Sequence, residues 1–135
     1  MDLTLRIVGV VRSPLTDKAS APKFETDNAP PAEIVLDPAY TVAAKDLAVD
    51  QEILLFTWLN QAERDCQAVH PRRDLSRPLT GVFSTRSPDR PNPIGLHQVR
   101  LTGIDGNILA VAALEALDGT PVIDIKPLAD RGAKP

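Results

Sequence analysis

The residues best suited to chemistry crowd into one stretch, Ser84-Thr85-Arg86-Ser87-Pro88-Asp89-Arg90-Pro91-Asn92-Pro93-Ile94-Gly95-Leu96, where prolines alternate with polar and charged side chains. Pro88, Pro91 and Pro93 fix their own φ and push the preceding Ser87, Arg90 and Asn92 into extended or polyproline II geometry. Side chains held this way are preorganised at low entropic cost. Arg86 and Arg90 carry planar guanidinium groups that can grip a carboxylate or a phosphate with two parallel bonds, and Gly95 permits the close approach of a ligand or a turn of the backbone. The same residues also suit a plain loop, in which the arginines cap a turn and Asn92 bonds to its own backbone.

The charge around this stretch is uneven. The chain carries a net charge of −3, yet between Arg64 and Arg100 seven arginines (Arg64, Arg72, Arg73, Arg77, Arg86, Arg90 and Arg100) stand against three acids, with no lysine. A local, arginine-only excess of positive charge suits phosphates or carboxylates, or else a solvated loop. Cys66 is the single cysteine, and His70 and His97 are the two histidines. These are too few nitrogen and sulfur ligands for a structural zinc site, and no metal is expected. An isolated histidine is more often a satisfied or exposed residue than a general base, so neither is assigned a role.

Phe83 to Gly95 resembles the FxTRSxxRPNPIG-type signature of the TrmO/TsaA-like family, which follows a barrel strand. Ile7-Val8-Gly9-Val10-Val11-Arg12-Ser13-Pro14 is similar to that family's opening strand and RSP turn, and Leu117-Asp118-Gly119-Thr120-Pro121-Val122-Ile123-Asp124-Ile125-Lys126-Pro127 to its closing motif. The three blocks agree in order and span nearly the whole chain. The resemblance implies a single-sheet β-barrel that binds S-adenosylmethionine, works as a homodimer and methylates the exocyclic amine of a threonylcarbamoyl-modified adenosine beside the tRNA anticodon. Carried over by motif, the cofactor contacts are Phe24, Glu25 and Thr26 in one loop, Asn60 and Gln61, Arg86, Leu96, and Ala113, Leu114 and Glu115, with Ala113 and Leu114 contributing backbone atoms. An amine conjugated to a purine ring needs a hydrogen-bond acceptor, and Asn92 is the candidate catalytic residue. Arg90, with Arg72, Arg73 and Arg77, is the candidate RNA-binding set.

The chain departs from the family pattern at three places: Pro22-Lys23-Phe24 replaces a PxQ-type loop, Asn60 stands where a histidine is familiar, and Leu128 replaces an aromatic. Two rival readings therefore stand beside the tRNA methyltransferase. One is a non-catalytic module that keeps the S-adenosylmethionine or nucleotide pocket and binds RNA or regulates. The other is a methyltransferase for a small molecule on the same barrel.

The elements that must position these residues are short strands. Residues 4–11 read as a first strand that stops at Arg12-Ser13-Pro14, and 15–31 as a long loop of the kind that often binds ligands. A short strand over 33–36 leads to Asp37 and Pro38, which suit the N-cap and first position of a short helix over 39–47. Residues 52–59 are a buried strand-length apolar run, 61–79 a polar basic stretch, and 80–85 another strand. Runs 97–104 and 108–114 pair as a hairpin through Asp105-Gly106-Asn107, and 121–125 form a last strand after the Asp118-Gly119 turn. The pattern predicts a mainly β protein, a single closed or nearly closed barrel of short, mostly antiparallel strands with one or two short helices.

A chain of 135 residues fits one domain over 1–135, with a frayed tail from 128. No apolar run approaches the roughly 18 residues of a membrane helix, and the N-terminus lacks the features of a secretory signal. A cytoplasmic location is expected.

Overall fold

The structure is a computed structural model that describes residues 1–17 and 28–129. Six strands close into one antiparallel barrel: β1 (Gly9–Arg12), β2 (Ala32–Leu36), β3 (Glu52–Trp58), β6 (Ile94–Asp105), β7 (Ile108–Val111) and β8 (Pro121–Pro127), ordered β1-β2-β7-β6-β3-β8 around the ring. Closure removes the sheet edges that a chain of short strands would otherwise leave unpaired. A separate pair, β4 (Ala68–Val69) and β5 (Thr80–Gly81), hangs outside the ring.

Alternation builds the core. Ile53 and Leu55 on β3, Val99 and Leu101 on β6, Ile34 on β2, Leu109 and Val111 on β7, Val11 on β1 and Val122 on β8 all point inward and are buried. Each such side chain stabilises the fold by about 1.5–3 kcal/mol when fully removed from water. The β6–β7 hairpin turns on Gly106, whose φ of +58° is costly for a side-chain-bearing residue, and Asp105 pairs with Ile108 across it. Asp118 shapes the other turn by accepting from the Ser13 N–H at 3.0 Å, followed by Gly119 at φ +82°.

Four local expectations change. The first strand begins at Gly9, where its ladder with β2 ends at the Gly9 and Leu36 pair and β2 turns into Asp37-Pro38; Val8 still donates to Val122 O and accepts from the Asp37 N–H. The helix over 39–47 is two successive 3-10 turns, Pro38–Tyr40 and Val42–Ala44. Asp37 still caps through its side chain. The Thr41 hydroxyl bonds back to Pro38 O and across to Asn107, which favours i to i+3 turns over a continued helix. The strand over 80–85 ends at Gly81, since the Val82 carbonyl collects the Thr85 N–H, the Thr85 hydroxyl and an Arg90 N–H and folds the chain into the 3-10 turn Val82–Ser84. β7 stops at Val111; Ala112 still donates to Arg100 O of β6, and Leu114 donates to Pro30 O instead.

Candidate functional site

The inward row of β3 and β6 changes character along its length. It is hydrocarbon from Ile53 and Leu101 to Leu55 and Val99, then polar at Thr57, Gly95 and His97. Thr57 Oγ1 and His97 Nε2 lie 2.7 Å apart, with Thr57 fully buried and His97 3 % exposed. The other ring nitrogen, His97 Nδ1, bonds Glu115 Oε1. Glu115 Oε2 is buried and has no partner among the described residues. With Nδ1–H donated to the carboxylate, Nε2 is left to accept the Thr57 hydroxyl proton, so the two neighbours fix one tautomer of the ring.

The proline-rich loop before β6 is stapled from inside. Arg90 donates to the carbonyls of Thr85 at 3.0 Å, Ser87 at 2.9 Å and Val82 at 3.0 Å. A loop held in extended geometry leaves its carbonyls without ladder partners, and one guanidinium satisfies three of them. A second arginine clamps the loop from the far side. Arg64 donates to Pro91 O at 2.8 Å and to Asn92 Oδ1 at 3.1 Å, with its guanidinium 5.0 Å from the Trp58 ring centre.

At this polar end a cavity of about 290 Å³ opens, and it gathers Asn60, Gln61, Arg86, Leu96 and Glu115 from separate parts of the chain. Arg86 Nη2 donates to Leu96 O at 2.6 Å, tying two of these segments together. Leu59, Ile94 and Leu117 add apolar walls, and His97 lies in the lining. Ala113 and Leu114 are not in that lining; Leu114 is a core residue with no exposure. Asn92 is also absent from it, its side-chain oxygen accepting from Arg64. Phe24, Glu25 and Thr26 lie outside the described residues. Among the described residues no group of three or more His, Cys, Asp or Glu side chains is arranged to hold a metal ion.

A second cavity, about 720 Å³, shares the wall from Thr85 to Pro88 with the first and is lined by Arg72, Arg73, Arg77 and Arg86. Phe83 also lines it and is 85 % exposed. Arg72 and Arg73 adopt left-handed backbone, φ +57° and +59°. Such residues cost about 1–2 kcal/mol each and persist where the surroundings enforce them. The turn is enforced by the His70 ring against Arg77 O at 2.9 Å and by Asp74 accepting from the Ser76 N–H and hydroxyl. The Ser76 hydroxyl, then the Ser76 N–H, hold the Asp74 carboxyl below the usual carboxylate range, with Arg77 and His70 adding to the effect.

Sequence reading named Glu115 as a cofactor contact, gave His97 no role and passed over Thr57, so what it missed is the linkage of the three side chains. The signal that could have found it is His97's position on the inward row of a strand otherwise filled by Val99 and Leu101.

Residues 10–131 match the family described as the tRNA-methyltransferase O N-terminal domain. A probable S-adenosyl-L-methionine-binding protein of Methanothermobacter thermautotrophicus is 46% identical over 127 residues, covering 94% of this chain and 90% of that protein. One from Archaeoglobus fulgidus is 43% identical over 127 residues, covering 94% of this chain but only 34% of that protein. A tRNA (adenine(37)-N6)-methyltransferase of Homo sapiens is 44% identical over 75 residues, 55% of this chain and 17% of that protein. The crystal structure of TrmO from Pseudomonas aeruginosa superposes with a TM-score of 0.74 at 30% identity, covering 96% of this chain and 57% of that one. The chain thus spans from about a third to nine tenths of the length of the relatives it matches over most of its own. The barrel accords with these matches, and the chain belongs to the tRNA-methyltransferase O N-terminal domain family.

Proposed function

We propose that this chain binds S-adenosylmethionine in the 290 Å³ cavity and transfers its methyl group to the exocyclic N6 amine of an adenosine beside the tRNA anticodon, acting as a homodimer in the cytoplasm. The observation that carries the reading is convergence: Asn60, Gln61, Arg86, Leu96 and Glu115 reach one cavity from separate segments. Two of the relatives' printed descriptions support it, one of S-adenosyl-L-methionine binding and one of tRNA adenine N6 methylation.

The lining fits such a cofactor. Leu59, Ile94, Leu96 and Leu117 suit the flat adenine, and the amides of Asn60 and Gln61 and the guanidinium of Arg86 suit its polar groups. When bound, the cofactor supplies a methyl group already activated on a sulfonium. What remains for the protein is alignment and the exclusion of water. The stapled loop holds Arg86 and Leu96 in place. The arginine-lined second cavity meets RNA phosphates, and exposed Phe83 offers a face on which an unstacked base can lie.

The test is calorimetric titration with S-adenosylmethionine, followed by transfer of a labelled methyl group to total tRNA. Saturable binding with ribonuclease-sensitive label supports the reading. Binding without transfer would make the chain a cofactor-binding module, and ribonuclease-resistant label would make the acceptor a small molecule.

A further inference from the structure

Methylating an amine at nitrogen requires that the nitrogen lose a proton, and the acceptor must lie in the cavity that holds the methyl donor. Among the described residues lining that cavity, the charged or titratable side chains are Arg73, Arg86, Arg90, His97 and Glu115. An arginine has no lone pair to offer a proton. His97 is engaged at both ring nitrogens, by Thr57 and by Glu115. The Asn92 carbonyl, the acceptor expected from sequence, is turned to Arg64. Glu115 remains, with one oxygen bonded to His97 and the other buried and, among the described residues, without a partner. A buried carboxylate oxygen left unpaired is costly, and a hydrogen-bond donor brought in by a ligand removes that cost.

We infer that Glu115 is the proton acceptor for the amine being methylated and that His97, clasped by Thr57, is the positioning residue that holds it, an inference that rests on the methyltransferase reading above. As the N–CH3 bond forms, the C–S bond breaks and its electron pair stays on sulfur, leaving a neutral thioether; the amine proton passes to Glu115 Oε2. His97 Nδ1–H donates to Glu115 Oε1 throughout, and the Thr57 hydroxyl donates to His97 Nε2. Product release exposes Glu115 to solvent, which takes the proton. The glycine at position 95 belongs to the same device, since a Cβ there would stand 2.8 Å from His97 Nε2.

The experiment compares the full chain with Glu115→Gln, His97→Leu and His97→Asn. Each protein is titrated with S-adenosylhomocysteine by calorimetry and assayed for single-turnover methyl transfer to tRNA across pH. Glu115→Gln is expected to lower the transfer rate about 10²- to 10⁴-fold, the usual worth of a positioned base, while its affinity for S-adenosylhomocysteine stays within about threefold. The fall in rate on the acid side of the wild-type pH profile should vanish in that variant. His97→Leu should lose most of the rate, and His97→Asn, whose amide N–H sits where Nδ1–H was, should recover most of it. In ligand-free protein the Nδ1–H proton resonance of His97 should move upfield in Glu115→Gln. Equal losses of rate and affinity in Glu115→Gln would make Glu115 a cofactor contact and overturn the inference, as would an unchanged rate. A wild-type chain that binds no S-adenosylhomocysteine and methylates nothing would overturn the methyltransferase reading itself.

Discussion

Gly95 and Thr57 stand directly opposite each other on β6 and β3, and the Thr57 hydroxyl, reaching toward His97, fills the space a side chain at position 95 would need. The barrel end is therefore built around a missing methyl group. Gly95→Ala forces either the strand pair apart or the Thr57 to His97 bond open, an overpacking cost of about 1–3 kcal/mol. Gly81→Ala is the control, because nothing lies within 4 Å of a Cβ there. Urea denaturation should show the loss at Gly95 alone. Equal midpoints for the two variants would mean that Thr57 swings aside at no cost.

Arg90 serves the loop more than it serves a ligand. Three of its N–H groups already end on the Val82, Thr85 and Ser87 carbonyls. Arg90→Ala takes the guanidinium from the half-buried Thr85 and Ser87 carbonyls, while Val82 O keeps the Thr85 N–H and hydroxyl, and should cost about 1–3 kcal/mol, with faster amide exchange between Val82 and Arg90. If stability and exchange stay at wild-type values while tRNA affinity falls, the guanidinium contacts phosphate and the staple is incidental.

The barrel and the loop motif are legible in sequence for a physical reason: the strand-length apolar run over 52–59 and the proline spacing of 88–93 are local, and each dictates its own geometry. The Asp105-Gly106-Asn107 turn is legible on the same ground. The partners of His97 are not, because Thr57 and Glu115 reach it only after the ring of strands has closed and set three distant positions side by side. Asn92 shows the converse. Its backbone geometry follows from its neighbours, but Arg64, which occupies its carbonyl, arrives from another loop that is itself clamped by Asp89 accepting from the Glu63 N–H. The helix expected over 39–47 yields to 3-10 turns because Thr41 bonds to a residue of the β6–β7 hairpin, a partner no local pattern announces.

The arginine-lined cavity predicts a salt dependence. Arg72 and Arg77 line it without lining the smaller cavity, so replacing both by alanine removes charge from the RNA side alone. Each phosphate contact contributes roughly −0.7 to −0.9 to the slope of log affinity against log salt. The double variant should flatten that slope for tRNA by up to about 2 units while S-adenosylmethionine titrates as in wild type. An unchanged slope would place the RNA on another face.

Arg86 belongs to the wall that both cavities share. It lines each of them, and one of its N–H groups is committed to Leu96 O at 2.6 Å, which aims the rest of the guanidinium from a fixed base. Arg86→Ala takes away a charge-assisted donor without opening the barrel core, since Arg86 is exposed and is not part of the core cluster. The expected result is a loss of about ten- to a hundredfold in S-adenosylmethionine affinity, the worth of one such bond at about 1.5–3 kcal/mol, with the far-ultraviolet spectrum unchanged. Arg86→Lys separates charge from shape: an ammonium keeps the charge but cannot donate to Leu96 and a ligand carboxylate with one planar fork, so it should recover less than half of the lost binding energy. Full recovery by lysine would show that only the charge matters there, and wild-type affinity in the alanine variant would remove Arg86 from the site.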